Sequence, residues 1–64
     1  MKKVGELITD STTLVIYKDE EARCNPYRIY RKWFDEGWHK KLVVKFQDLL
    51  SCTYFINDYV RENG

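Results

Sequence analysis

The fold is decided by the stretch Tyr27-Arg28-Ile29-Tyr30-Arg31-Lys32-Trp33-Phe34-Asp35-Glu36-Gly37-Trp38-His39-Lys40-Lys41-Leu42-Val43-Val44-Lys45-Phe46. Two runs rich in aromatic and β-branched residues flank Asp35-Glu36-Gly37. Such residues suit a half-buried pleated surface, and the short polar step ending in glycine supplies a turn, so the stretch predicts an antiparallel β-hairpin. Loop length sets its register. A loop of two or four residues puts Ile29 on the face of Leu42, Val44 and Phe46, whereas a loop of three with Gly37 as a left-handed bulge puts Tyr30 and Phe34 there instead. The favoured register has Ile29 inward, because Ile is easier to bury than Tyr30 with Arg28 and Lys32 beside it.

With Leu42, Val44 and Phe46 toward the core, a period of two sends His39, Lys41, Val43 and Lys45 to the other side. The preceding strand adds either Arg28, Tyr30, Lys32 and Phe34 or Tyr27, Ile29, Arg31 and Trp33. In both registers the exposed sheet face is expected to be basic and aromatic, with no acid placed on it by the strands.

Upstream, Asn25-Pro26 breaks the pattern, and Pro26, which has no N–H to give a ladder, marks the start of the hairpin's first strand. Lys18 to Pro26 reads as the longest irregular stretch, with Asp19-Glu20-Glu21 a solvated acidic run. Thr12 to Tyr17 is β-branched almost throughout and predicts a strand with Leu14 and Ile16 inward and Thr13, Val15 and Tyr17 on the other side. Thr9-Asp10-Ser11 has the chemistry of a turn. Val4 to Ile8 is too short to choose between a helical turn and a short edge strand.

Downstream, Gln47-Asp48 stops the second hairpin strand, and the Asp48 carboxylate is placed to cap a helix from Leu49 to about Arg61. On a 3.6-residue period Leu49, Cys52, Phe55, Ile56, Tyr59 and Val60 share one face, with Ser51, Tyr54, Asn57, Asp58 and Arg61 opposite and Leu50 outside the stripe. Asn63-Gly64 has the composition of a helix stop. A helix this short needs a sheet beneath it. The expected fold class is therefore α+β: an antiparallel sheet of three strands, four if residues 4–8 are extended, with one C-terminal helix packed on the face of Leu14, Ile16, Leu42, Val44 and Phe46.

At 64 residues the chain makes one small domain, and a domain of that size buries only about 60% of the surface its unfolded chain exposes. Hydrophobic residues at 44% and aromatics at 16% exclude the depleted composition of disordered chains. The net charge of +1 conceals an uneven distribution. Residues 1–26 carry four basic and five acidic groups, residues 27–45 six and two, and residues 46–64 one and three, so the hairpin is the electropositive part. No apolar segment resembling a secretory signal follows Met1-Lys2-Lys3, and no apolar run approaches membrane-spanning length, so the expected location is cytoplasmic, with reduced thiols and no membrane partner.

Cys24 and Cys52 match no zinc spacing and His39 alone cannot complete a site, so no metal and no cofactor is expected. His39, after the hairpin turn among lysines, reads as an exposed surface group. Cys52 belongs to the apolar helix stripe. Without a nucleophile held near a partner in a concavity, no enzyme and no small-molecule substrate is expected. The functional content lies in the sheet face. Arg and Lys neutralise phosphates and flat rings stack on bases, which makes Arg28, Tyr30, Arg31, Lys32, His39, Lys41 and Lys45 the candidate contact residues of a non-enzymatic nucleic-acid-binding module. The alternative is a protein-interaction module: a homodimer closing two sheet faces over Tyr30, Trp33 or Phe34, or an accessory factor docking to a larger protein.

The order of Tyr27-Arg28-Ile29-Tyr30-Arg31-Lys32-Trp33, then Lys40-Lys41-Leu42-Val43-Val44-Lys45-Phe46, then the helix from Leu49 resembles the small DNA-binding domain at the start of conjugative-transposon integrases and of plant AP2-type factors. The likeness is one of pattern and spans Tyr27 to Val60. It implies a three-stranded sheet laid in the major groove of double-stranded DNA, with Arg28, Arg31, Lys32, Lys41 and Lys45 as contacts.

Overall fold

A computed structural model describes residues 1–10 and 12–63. Ser11 of the expected turn and Gly64 of the expected helix stop lie outside the described residues. Strands β2 Thr13–Lys18, β3 Tyr27–Phe34 and β4 Trp38–Phe46 form where β-branched and aromatic residues are dense, β1 Lys2–Ile8 pairs along β2, and helix α1 Leu49–Asn63 follows. The four strands form one antiparallel sheet in the order β1-β2-β3-β4. Val4 to Ile8, which the sequence leaves open, is extended.

Cross-strand partners share a face of the sheet, so the register fixes the core. Ile16 lies opposite Ile29, and Ile29 opposite Val44. On that side Leu14, Ile16 and Ile29 meet Cys52 of α1 in a fully buried cluster, with Tyr27, Val44, Phe46, Phe55, Ile56 and Tyr59 packed around it. The Phe46 ring stands 5.7 Å from Phe55, and Phe55 stands 6.1 Å from Tyr59, so the first turns of α1 are sealed by rings onto the end of β4. Gly5 faces Ile16 across β1 and β2, where an added Cβ would come within 3.2 Å of the Ile16 side chain. The bare glycine lets Ile16 reach over β1.

Helix α1 starts where Asp48 caps it. The Ser51 amide donates to Asp48 Oδ1 at 2.8 Å, and this backbone bond, with a smaller one from the Ser51 side chain, holds the Asp48 carboxyl below the usual carboxylate range. The stripe is Cys52, Phe55, Ile56, Tyr59 and Val60, all buried or half-buried. Leu49, expected in it, is 44% exposed and stands at the first position of the helix, outside the group packed on the core.

The hairpin corrects the expected alternation. Its loop has three residues, with Asp35 N–H donating to the Gly37 carbonyl at 2.9 Å, Glu36 at φ 58° and Gly37 at φ 151°. That loop pairs Phe34 with Trp38 and Tyr30 with Leu42, yet Ile29 pairs with Val44. Val43 is the surplus residue, a β-bulge in β4. Leu42 therefore faces away from the helix and Lys41 and His39 face toward it, the reverse of the expected sides, while Ile29 is inward as expected. A second bulge at Val4 interrupts β1. Both bulges lie in edge strands, where an irregular rim discourages pairing with another sheet.

Candidate functional site

Among the described residues, the side of the sheet away from α1 has no layer over it. From β1 it receives Lys3, Glu6 and Ile8; from β2, Thr13, Val15 and Tyr17; from β3, Arg28, Tyr30, Lys32 and Phe34; and from β4, Trp38, Lys40, Leu42 and Lys45. Its centre is nonetheless dry. Val15, between Glu6 and Tyr30 of the neighbouring strands, is 1% exposed. The Tyr17 and Tyr30 rings meet edge to face at 5.5 Å, and the Lys40 ammonium sits 5.2 Å from one centroid and 5.0 Å from the other. Two rings and a cation thus close over the valine. The Lys32 ammonium lies 5.4 Å from the Trp38 ring, and Phe34 meets Trp38 edge to face at 5.5 Å.

Of the expected contact residues, Arg28, Tyr30, Lys32 and Lys45 lie on this open side. Arg31, Lys41 and His39 lie on the helix side, but past the part that α1 covers, and all three are exposed. There Trp33 and His39 stack at 5.6 Å with 20° between their planes, and the Arg31 guanidinium is 5.4 Å from the Trp33 ring. His39 Nε2–H donates to the Asp35 carbonyl at 2.9 Å, tying the ring to the loop. The hairpin end is therefore basic and aromatic on both sides.

The expectation that the strands bring no acid to the open side is corrected at β1, whose extended conformation puts Glu6 there. Glu6 hydrogen-bonds Lys3, and that bond, followed by the Coulomb attraction of Lys3 and the more distant Lys32, holds its carboxyl below the usual range. A second acid reaches the rim from the loop after β2: Asp19 Oδ2 accepts from Arg28 at 3.1 Å. Asp19, expected in a solvated run, is half-buried, and its amide donates to the Pro26 carbonyl at 2.8 Å. Among the described residues, Arg28 is the one expected contact residue in an ion pair with a carboxylate. Asp19, Glu20 and Glu21 also border a shallow depression with Met1, Lys2 and Lys18. The mixture of charges there favours neither an anion nor a cation.

The sequence reading missed Lys40, Trp38 and Lys3 as members of the open side. For Lys40 and Trp38 a signal was present, since Leu42-Val43-Val44 is a run of consecutive apolar residues inside an otherwise alternating strand, which is where a period of two slips; Lys3 is placed only by the pairing of β1 with β2. Among the described residues no three His, Cys, Asp or Glu side chains are placed to hold a metal ion, and no helix is long and apolar enough to cross a membrane. Burial pushes the Cys52 thiol up, with a smaller contribution from the Asp48 carboxylate, and leaves it an inert packing group; Cys24 is exposed in the loop.

One feature of the register is costly to the free protein. Along β3 and β4 three directly opposed pairs are both cationic: Arg28 with Lys45, Arg31 with Lys41, and Lys32 with Lys40. Like charges facing across strands destabilise a sheet, by roughly 0.2–1 kcal/mol a pair. Ring faces beneath Lys32, Lys40 and Arg31 offset part of this, since cations are attracted to π systems. Asp19, paired with Arg28, and Glu6, which attracts Lys32 from a distance, offset a further part, whereas among the described residues no ion pair engages Arg31, Lys40, Lys41 or Lys45. Comparison with protein-family models, with curated proteins and with solved structures finds no match to this chain.

Proposed function

We propose that this protein is a small binding module without catalytic activity whose ligand is nucleic acid, taken up on the β3–β4 hairpin. The observation that carries the reading is the set of three opposed cation pairs, Arg28–Lys45, Arg31–Lys41 and Lys32–Lys40. A run of self-repelling cations alternating with rings suits a polyanion with flat bases: phosphates relieve the repulsion and release counterions, while Trp38 and Phe34, each 67% exposed, offer faces for stacking. The resemblance to sheet-based DNA-binding domains points the same way.

Fluorescence anisotropy with a labelled duplex, repeated across salt concentrations, tests this. Expected is binding whose logarithm falls linearly with the logarithm of salt, with a slope of about 0.9 for each phosphate neutralised. Absence of binding at low salt would overturn the reading.

A second reading has its own observation. Phe34 and Trp38, each 67% exposed and in edge-to-face contact, make an apolar end suited to a protein partner or a second copy of the chain. Association through that end would be concentration-dependent and nearly indifferent to salt, so sizing at two concentrations and two ionic strengths separates the alternatives.

A further inference from the structure

We infer that the ligand is double-stranded, and that the hairpin enters its groove with the free edge of β4 leading, so that the reverse side of the hairpin is a second contact surface. The inference rests on the nucleic-acid reading above and deepens it.

The Val43 bulge makes the hairpin end two-sided. Lys32, Lys40 and the Phe34–Trp38 pair stand on one side, and Arg31, Lys41 and the Trp33–His39 pair on the other. A single strand lying along the open face would leave Arg31 and Lys41 idle. A duplex groove has two phosphate walls, and the major groove of B-DNA, about 12 Å wide, admits a two-stranded ribbon. A ribbon entering edge-on presents Lys40 and Lys32 to one wall and Lys41 and Arg31 to the other. β4 is an edge strand of the sheet, so among the described residues no further strand stands ahead of it. Helix α1 covers the Val44–Phe46 end, so the inserted part is Trp38 to Leu42. In that orientation Asp35 and Glu36 lie at one end of the contact, outside the space between the walls.

Two double variants decide the matter: Lys32→Gln with Lys40→Gln on the open side, and Arg31→Gln with Lys41→Gln on the reverse side. Glutamine keeps most of the stem and removes the charge. Each variant also removes one opposed cation pair, so the fold is expected to be retained, and circular dichroism melting checks it. The probes are a labelled 16-base-pair duplex and the same-length single strand. Expected are at least roughly tenfold tighter binding of the duplex, comparable losses of about tenfold or more in duplex affinity for the two variants, and a salt slope lower by about two in each. Loss with the open-side variant alone overturns the two-sided grip and leaves the nucleic-acid reading standing, as does a preference for the single strand. Binding of neither probe by the unaltered protein overturns both.

Discussion

The two ends of the β3–β4 hairpin use the same residue types for opposite purposes. At the Tyr27 and Phe46 end, rings and aliphatic side chains pack under α1, and Ile29 is fully buried against Leu14, Ile16 and Cys52. At the loop end the rings of Trp33, Phe34 and Trp38 are exposed, with the Arg31 guanidinium over Trp33 and the Lys32 ammonium over Trp38. The Val43 bulge divides the two. Before it the alternation serves the core; beyond it the sides are exchanged and both stay uncovered. A domain this small cannot bury every ring it carries. Of those it leaves in water, Trp33 and Trp38 each carry a cation over the ring.

This division predicts a steep difference in stability along one strand. Ile29→Ala removes a fully buried side chain from the centre of the core and should cost about 2–5 kcal/mol, a large part of what so small a domain has. Phe34→Ala, at a residue 67% exposed, should cost within about 0.5 kcal/mol. Urea midpoints of the two variants measure the contrast, and comparable losses would show that the loop end is part of the core after all. Between these lies Gly37→Ala. Nothing crowds the space a Cβ would occupy, but the backbone at φ 151° disfavours any L side chain, so the expected loss is about 1–3 kcal/mol and comes from conformation alone.

How much of this could be read from the chain follows the same division. The covered end was legible because its signals are local and redundant: Leu14 and Ile16 alternate with Thr13 and Val15, Asp48 caps, and Cys52, Phe55, Ile56 and Tyr59 recur at helical spacing. The loop end was not, because two correct inferences conflicted. Asp35-Glu36-Gly37 calls for a three-residue loop, which pairs Tyr30 with Leu42, while burial calls for Ile29 opposite Val44. Only an extra residue satisfies both, and a strict period of two does not admit one. Within the hairpin the error therefore fell on Leu42, Lys41 and His39, while the Tyr27 and Phe46 end kept its expected sides. Glu6 was missed for a different reason: five residues of β1 cannot announce their own period, and only pairing with β2 makes them a strand.

The helix cap gives a smaller effect with a defined pH window. Because hydrogen bonding to the Ser51 amide lowers the Asp48 carboxyl in the folded state, its contribution is complete above the unfolded carboxylate pKa, roughly 4, and is lost as pH falls through the lower folded value. Asp48→Ala should lower the melting temperature by a few degrees at pH 7 and by progressively less in the acid range. Equal loss at all pH values would mean that the carboxylate does not act as the cap. The covered end should also shield its thiol: a chromogenic disulfide reagent is expected to modify Cys24 in the native protein and Cys52 only on unfolding.

The smallest effect tests the function most directly, because stability and binding should move in opposite directions. Lys41→Glu replaces a repulsive pair with an attractive one opposite Arg31, and should stabilise the sheet by about 0.2–1 kcal/mol. A core position cannot behave this way, since there a substitution that weakens the fold weakens every activity resting on it. At the loop end the cations cost stability in the free protein, and the proposed ligand is what offsets that cost. A melting temperature that rises while duplex affinity falls is therefore the expected signature. If both fall together, Lys41 supports the fold by a contact that cross-strand pairing does not account for, and the separation of the two ends fails at the residue where it is sharpest.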